Sequence, residues 1–138
     1  MKKFILLLFI AVSISFDGVP CWFTNIDDAV AEAKSSNKRV MVLFTGSDWC
    51  PPCINLEKYI LSSNEFKVYA NKNLVLVKID FPKRNGLTKE QEAYNHRVQT
   101  LYKIEGYPTA IILNSLGKRI STPNVSWISK QEFMNNIK

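Results

Sequence analysis

The sequence predicts an α/β domain in which a central mixed sheet of about four strands is flanked by helices. Three observations carry this. Val40–Thr45 and Leu74–Ile79 are continuous apolar runs of strand length, the signature of strands covered on both faces. Amphipathic helical patterns precede and separate them, which requires crossover connections and therefore parallel pairing. Near the end, a third run at Thr109–Leu113 is followed by the turn Asn114–Gly117 and a short strand at Lys118–Ser121, which implies an antiparallel pair.

The elements follow in order. Thr24 with Asp27 marks a helix start, and Ile26, Ala29, Val30 and Ala33 fall on one face before Ser35-Ser36-Asn37 ends the pattern. After the first buried strand, Gly46-Ser47-Asp48 breaks the run, and helical patterns extend over Pro51–Ile60 and Asn64–Ala70. The second buried strand leads through Asp80-Phe81-Pro82 to a long polar helix, which Thr88-Lys89-Glu90-Gln91 opens as a capping box and which reaches Tyr102. A second capping box, Ser129 to Glu132, starts the last helix. Ile128 and Phe133 are spaced to staple its first turn, and Phe133 and Ile137 share its inner face. There is no internal repeat, no low-complexity tract and no linker long enough to divide two domains.

The N-terminus reads differently from the rest. Met1-Lys2-Lys3 is followed by nine apolar residues, Phe4–Val12, and by small residues at Ser13 and Ser15. Two positive charges, a short apolar run and small residues describe a secretory leader, 1–15, cut after Ser15. A membrane-spanning helix needs about 20 apolar residues, which this run does not supply. Cleavage would leave a single domain at 16–138 and, with Lys2 and Lys3 gone, would lower the formal charge from +6 to +4. With no long Lys/Arg run, nucleic acid is not an expected partner. Export would place the chain outside the cytoplasm, where thiols tend to be oxidised.

Trp49-Cys50-Pro51-Pro52-Cys53 falls between a buried strand and a helix. Two intervening residues let the sulfurs reach bonding distance when the first turn is helical. The amide donors and dipole of a helix N-terminus lower the pKa of the first thiol. Cys50 is therefore the expected exposed nucleophile, and Cys53, one turn inside, the resolving thiol. A half zinc site or an inert bridge is the alternative for a bare Cys-x-x-Cys. Zinc would need two more ligands, and only Cys21 and His96 remain, neither in a ligand-spaced pair. No metal and no cofactor are expected, since no nicotinamide or flavin motif is present.

Val40–Cys53, Lys78-Ile79-Asp80 and Tyr102–Leu113 together resemble the thioredoxin superfamily in order and spacing, over Asp27–Ile120. The lead-in Phe44-Thr45-Gly46-Ser47-Asp48-Trp49-Cys50 and the Asp80-Phe81-Pro82 stretch resemble more narrowly the secreted single-domain thioredoxin-like disulfide reductases of the bacterial periplasm. The resemblance implies a thioredoxin-like fold and Pro108 as a cis-proline facing the disulfide. It also implies substrate contacts at Trp49, Tyr107 and Thr109 around that proline. A peptide held on the Tyr107 backbone would be a β-augmentation contact.

Departures from thioredoxin are specific. Phe44 stands where thioredoxin has a buried Asp six residues before the first cysteine, so Asp48, Glu57, Lys78 or water would have to assist proton transfer at Cys53. Pro52 removes an amide that could have bonded the Cys50 thiolate, and no cation sits between the cysteines. Weak thiolate stabilisation predicts a pair that prefers to be oxidised and so reduces other disulfides. A disulfide oxidase or isomerase, and a redox-inert peptide- or metal-binding protein, are the rival functions. The expected partners are disulfide-containing proteins and a transmembrane electron donor, with the protein itself a monomer. Phe81–Leu101 is longer than its thioredoxin counterpart and is read as a solvated face away from the motif, with His96 an exposed neutral residue within it and Cys21 a bystander thiol.

Overall fold

The apolar runs assemble into one five-stranded sheet. The computed structural model describes residues 18–138, so the predicted leader lies outside the described residues. The elements run β1 (Trp22–Phe23), α1 (Ile26–Ser36), β2 (Arg39–Thr45), α2 (Pro51–Leu56), a π-helical turn (Glu57–Leu61), α3 (Asn64–Asn73), β3 (Leu74–Asp80), α4 (Lys89–Leu101), β4 (Thr109–Leu113), β5 (Arg119–Ser121) and α5 (Lys130–Ile137). The strand order is β1-β3-β2-β4-β5. Pairing is parallel from β1 through β3 to β2 and antiparallel from β2 through β4 to β5.

Successive strand side chains point to opposite faces, so the central strands feed two cores at once. On one face Met41, Leu43 and Leu76 pack with Leu56, Phe66 and Phe133. On the other, Val42, Phe44, Val77 and Ile79 pack with Ala29, Ala33 and Val98. This double burial is the reason that β2 and β3 read as unbroken apolar runs.

The fifth strand is a correction to the expected count. β1 is two residues long, too short to carry a periodic signal. It exists because Trp22 and Phe23 pair with Leu76 and Val77 on the outer side of β3. Helix starts shift by a residue where side chains compete. Asn25, not Thr24, caps α1, its Oδ1 accepting from the amides of Asp27 at 2.8 Å and Asp28 at 3.2 Å. Thr88 caps α4 as expected, but Gln91 does not return the bond. Its amide donates to Thr24 O and Asn95 Oδ1 instead, tying α4 to the segment before α1.

The expected helix over Pro51–Ile60 is interrupted. Ser62 N–H reaches back five residues to Glu57 O at 3.1 Å, widening one turn. The widened turn buries both Ile60 and Leu61, which a regular helix would point about 100° apart. At the last helix, Ser129 caps through Glu132 N–H, and Ile128 packs on the cluster containing Phe133, as the staple requires.

Candidate active site

β2 ends at Thr45, and the chain turns over Gly46 to bring Trp49 and Cys50 back to the top of the sheet. Cys50 N–H donates to Gly46 O at 3.0 Å, closing this turn. Gly46 is required by space: a Cβ there would lie 2.5 Å from Trp49 Cε2, inside the indole. Cys50 is the N-cap of α2, with Pro51 and Pro52 in the first turn, where a missing N–H breaks no helical bond. Cys50 and Cys53 are joined as a disulfide with Cα atoms 5.2 Å apart.

Both sulfurs are covered. Cys50 is 4% exposed and Cys53 3%, so the expected difference between an exposed first and a sheltered second cysteine is absent in the disulfide form. The cause lies in the segment before β4. The Tyr107–Pro108 peptide is cis, Pro108 is buried, and the carbonyl oxygen of Tyr107 lies 3.7 Å from Cys50 Sγ. On the inner side, Gly46 N–H donates to Cys53 Sγ at 3.4 Å. Thr109 Oγ1 donates to Gly106 O at 2.7 Å and tightens the turn that carries Tyr107. The sequence therefore brings Cys50, Cys53, Trp49, Tyr107, Pro108 and Thr109 to one end of the sheet, from two segments separated by about 55 residues.

Trp49 is half-buried and held by three contacts. Its indole N–H donates to Phe81 O at 2.7 Å, the Lys83 ammonium sits 4.0 Å over its ring, and its edge meets Tyr107 at 6.1 Å and 87°. Tyr107 in turn stacks on Phe81 at 5.0 Å. Burial raises the pKa of the Tyr107 hydroxyl above its ordinary value, while a bond with Gln99 works in the opposite direction.

The three candidate proton acceptors occupy other roles. Asp48 accepts from the amides of Lys83 (2.9 Å), Arg84 (2.7 Å) and Asn85 (3.2 Å). The Lys83 amide bond is the leading reason that its carboxyl lies below the ordinary aspartate value, although desolvation opposes it. It anchors the loop after β3. Lys78 and Glu57 pair with each other at 3.0 Å, and the Lys78 ammonium also lies 4.7 Å over Trp22. Phe44 is wholly buried among apolar neighbours.

α4 is not remote from the motif. Glu92, Asn95 and His96 line a cleft of about 400 Å³ together with Trp49, Phe81 and Tyr107. His96 is exposed, as expected, but its ring lies 5.3 Å from that of Phe81. Asn95 escaped the sequence reading although it is 2% exposed; its Nδ2 donates to Asp80 O at 2.7 Å, pinning α4 to the end of β3. The available signal was its position three residues before Val98, on the buried face of α4. Cys21 is exposed and unpaired.

Comparison with known proteins gives a consistent picture. A family described as thioredoxin-like matches residues 21–115. The disulfide bond reductase DsbH of Chlamydia pneumoniae is 36% identical over 94 residues, covering 68% of this chain and 57% of its own length. The thioredoxin-related protein DsbJ of the same organism is 27% identical, covering 67% of this chain and 27% of its own length. The chain thus spans little more than half of the first of these relatives and about a quarter of the second. Among solved structures, a DsbH oxidoreductase superposes with a TM-score of 0.79 at 30% identity, covering 88% of this chain and 83% of that one. A thioredoxin from Thermus thermophilus, at 18% identity and a TM-score of 0.65 over 86% of this chain, shares the fold.

Proposed function

The chain belongs to the thioredoxin-like family, and on that premise we propose that it is a thiol–disulfide oxidoreductase that reduces disulfides in other proteins. One observation carries the reading: a Cys50–Cys53 pair at a helix N-terminus, with the Tyr107 carbonyl 3.7 Å from Cys50 Sγ. In the reduced protein, the Cys50 thiolate attacks one sulfur of a substrate disulfide, forming a Cys50–substrate bond and expelling the other substrate sulfur as a thiolate. Cys53, deprotonated to solvent, then attacks Cys50 Sγ. This forms the Cys50–Cys53 bond and releases the second substrate thiolate, so that two electrons pass from the pair to the substrate. The Gly46 amide that faces Cys53 Sγ is placed to stabilise that thiolate. Trp49, Tyr107, Pro108 and Thr109 form the rest of the substrate-contacting surface.

The donor inventory supports the reductive direction. Pro51 and Pro52 lack amide hydrogens, and the Cys50 side chain receives no capping bond. With two amide donors missing from the first turn, its thiolate has less of the stabilisation that makes a strong oxidant. The charged and apolar pattern of 1–15 reads as a leader and so supports a periplasmic location; the proposed protein is a monomeric single domain at 16–138, re-reduced by a transmembrane dithiol donor. Among the described residues no helix is long and apolar enough to cross a membrane.

The test is dithiothreitol-driven reduction of insulin. Turnover by the native protein and its loss in Cys50→Ser are expected, with a reduction potential near that of thioredoxin, about −270 mV. A Cys50 pKa near 4 with a potential close to −120 mV, roughly that of a strong oxidase, would reverse the assigned direction. Absence of turnover would remove the enzymatic reading altogether.

A further inference from the structure

We propose that the cleft between Trp49 and α4 is a side-chain pocket for the substrate polypeptide, taking a bulky apolar or aromatic residue two positions from the cysteine under attack. The inference rests on the oxidoreductase reading and adds a specificity element to it. Its volume, about 400 Å³, falls in the range in which small groups are buried by proteins.

The walls define the occupant. Phe81, Tyr107, Trp49 and His96 line it with rings, and the half-exposed Leu87 adds an aliphatic wall. Their neighbouring polar groups are already committed inward. The Trp49 indole N–H bonds Phe81 O, Asn95 Nδ2 bonds Asp80 O, and Asn95 Oδ1 accepts from Gln91. A polar occupant would lose water and gain no partner from these groups, whereas an apolar one gains burial. Charge does not select either sign: the cation of Lys83 and the anion of Glu92 both line the cleft, and the Asp80 carboxylate beside them already accepts from the Ser47 amide and hydroxyl.

Position relative to the disulfide supplies the spacing. Tyr107 serves both regions: its carbonyl approaches Cys50 Sγ at 3.7 Å, while its ring stacks on Phe81 in the cleft wall. An extended peptide lying along this backbone repeats its side-chain direction every second residue, roughly 6.5–7 Å apart. A peptide whose cysteine meets Cys50 thus directs its next side chain on the same face into the pocket.

The experiment uses synthetic peptides with one cysteine blocked as a mixed disulfide with 2-mercaptoethanol, carrying Phe, Leu, Ala, Asp or Lys two residues away on either side. Single-turnover reduction by the pre-reduced native protein, whose dithiol supplies the two electrons, is expected to show an apparent second-order rate constant about tenfold higher for Phe or Leu than for Ala at one of the two positions. In Leu87→Asp and His96→Ala the same ratio should shrink to within about threefold, as it does when a pocket loses its apolar contacts. In parallel, Cys→Ser versions of the peptides are titrated into the oxidised protein while the Trp49 indole N–H and His96 signals are followed by NMR. Phe-selective shifts at these two residues support the pocket even if no peptide is reduced, in which case the redox reading alone falls. Reduction without side-chain preference, a preference for Asp or Lys, or unmoved Trp49 and His96 signals would overturn the pocket and leave the oxidoreductase reading standing.

Discussion

At the scale of single residues, Gly46 links the turn to the chemistry. Its hydrogen faces the Trp49 indole, and its amide faces Cys53 Sγ. Gly46→Ala places a methyl 2.5 Å from Trp49 Cε2, and neither the ring nor the backbone can give without losing the indole bond to Phe81 O. The expected cost is about 1–3 kcal/mol of stability, as for other overpacked sites. A lowered thermal midpoint together with a shifted Trp49 indole signal would register it; an unchanged indole environment would contradict the account. Cys50 and Cys53 were legible from spacing alone, since Cys-x-x-Cys at a helix start confines both sulfurs to one turn. Their equal burial was not, because the cover over Cys50 comes from Tyr107, 57 residues away.

Among the elements, the loop between β3 and α4 is held at Lys83–Asn85 by one carboxylate. Asp48 collects three consecutive amides of that loop, and its pKa lies below the ordinary value because those bonds favour the charged form. A depressed folded-state pKa means that the stabilisation is complete above the unfolded value, about pH 4 for aspartate. It is then lost as pH falls through the lower folded value. Hydrogen exchange at Lys83, Arg84 and Asn85 should therefore quicken as pH drops below that range, after correction for the intrinsic rate. Asp48→Ala should show the faster exchange at neutral pH. Equal protection in the variant at neutral pH would rule out this anchoring role. Local patterns located nearly every element of the fold. The Ser129 and Thr88 caps and the apolar runs are short-range signals, each decided within about four residues. The widened turn at Glu57–Leu61 was hidden because only packing against the sheet requires Ile60 and Leu61 to be buried together.

For the whole molecule, the redox state and the stability of the fold are linked. Where the reduced form of a pair receives little stabilisation, the disulfide form is the more stable protein. With two prolines after Cys50 and no capping bond to its side chain, the oxidised protein is expected to unfold at a higher temperature than the reduced one. Thermal denaturation of both forms without added thiol measures this, and a more stable reduced form would identify an oxidant. The sequence alone indicated the class of fold, the parallel sense of its early strands, the antiparallel sense of its last pair, and the cysteine pair proposed to carry the chemistry. These follow from periodicity, caps and spacing, all of which act between near neighbours. Only the tertiary structure decided that β1 pairs on the outer side of β3, that Asp48 holds a loop, and that α4 walls a cleft beside Trp49. Each of these depends on which distant segments share the end or edge of the sheet. Local patterning says which face of an element is apolar, but not which remote segment will cover it.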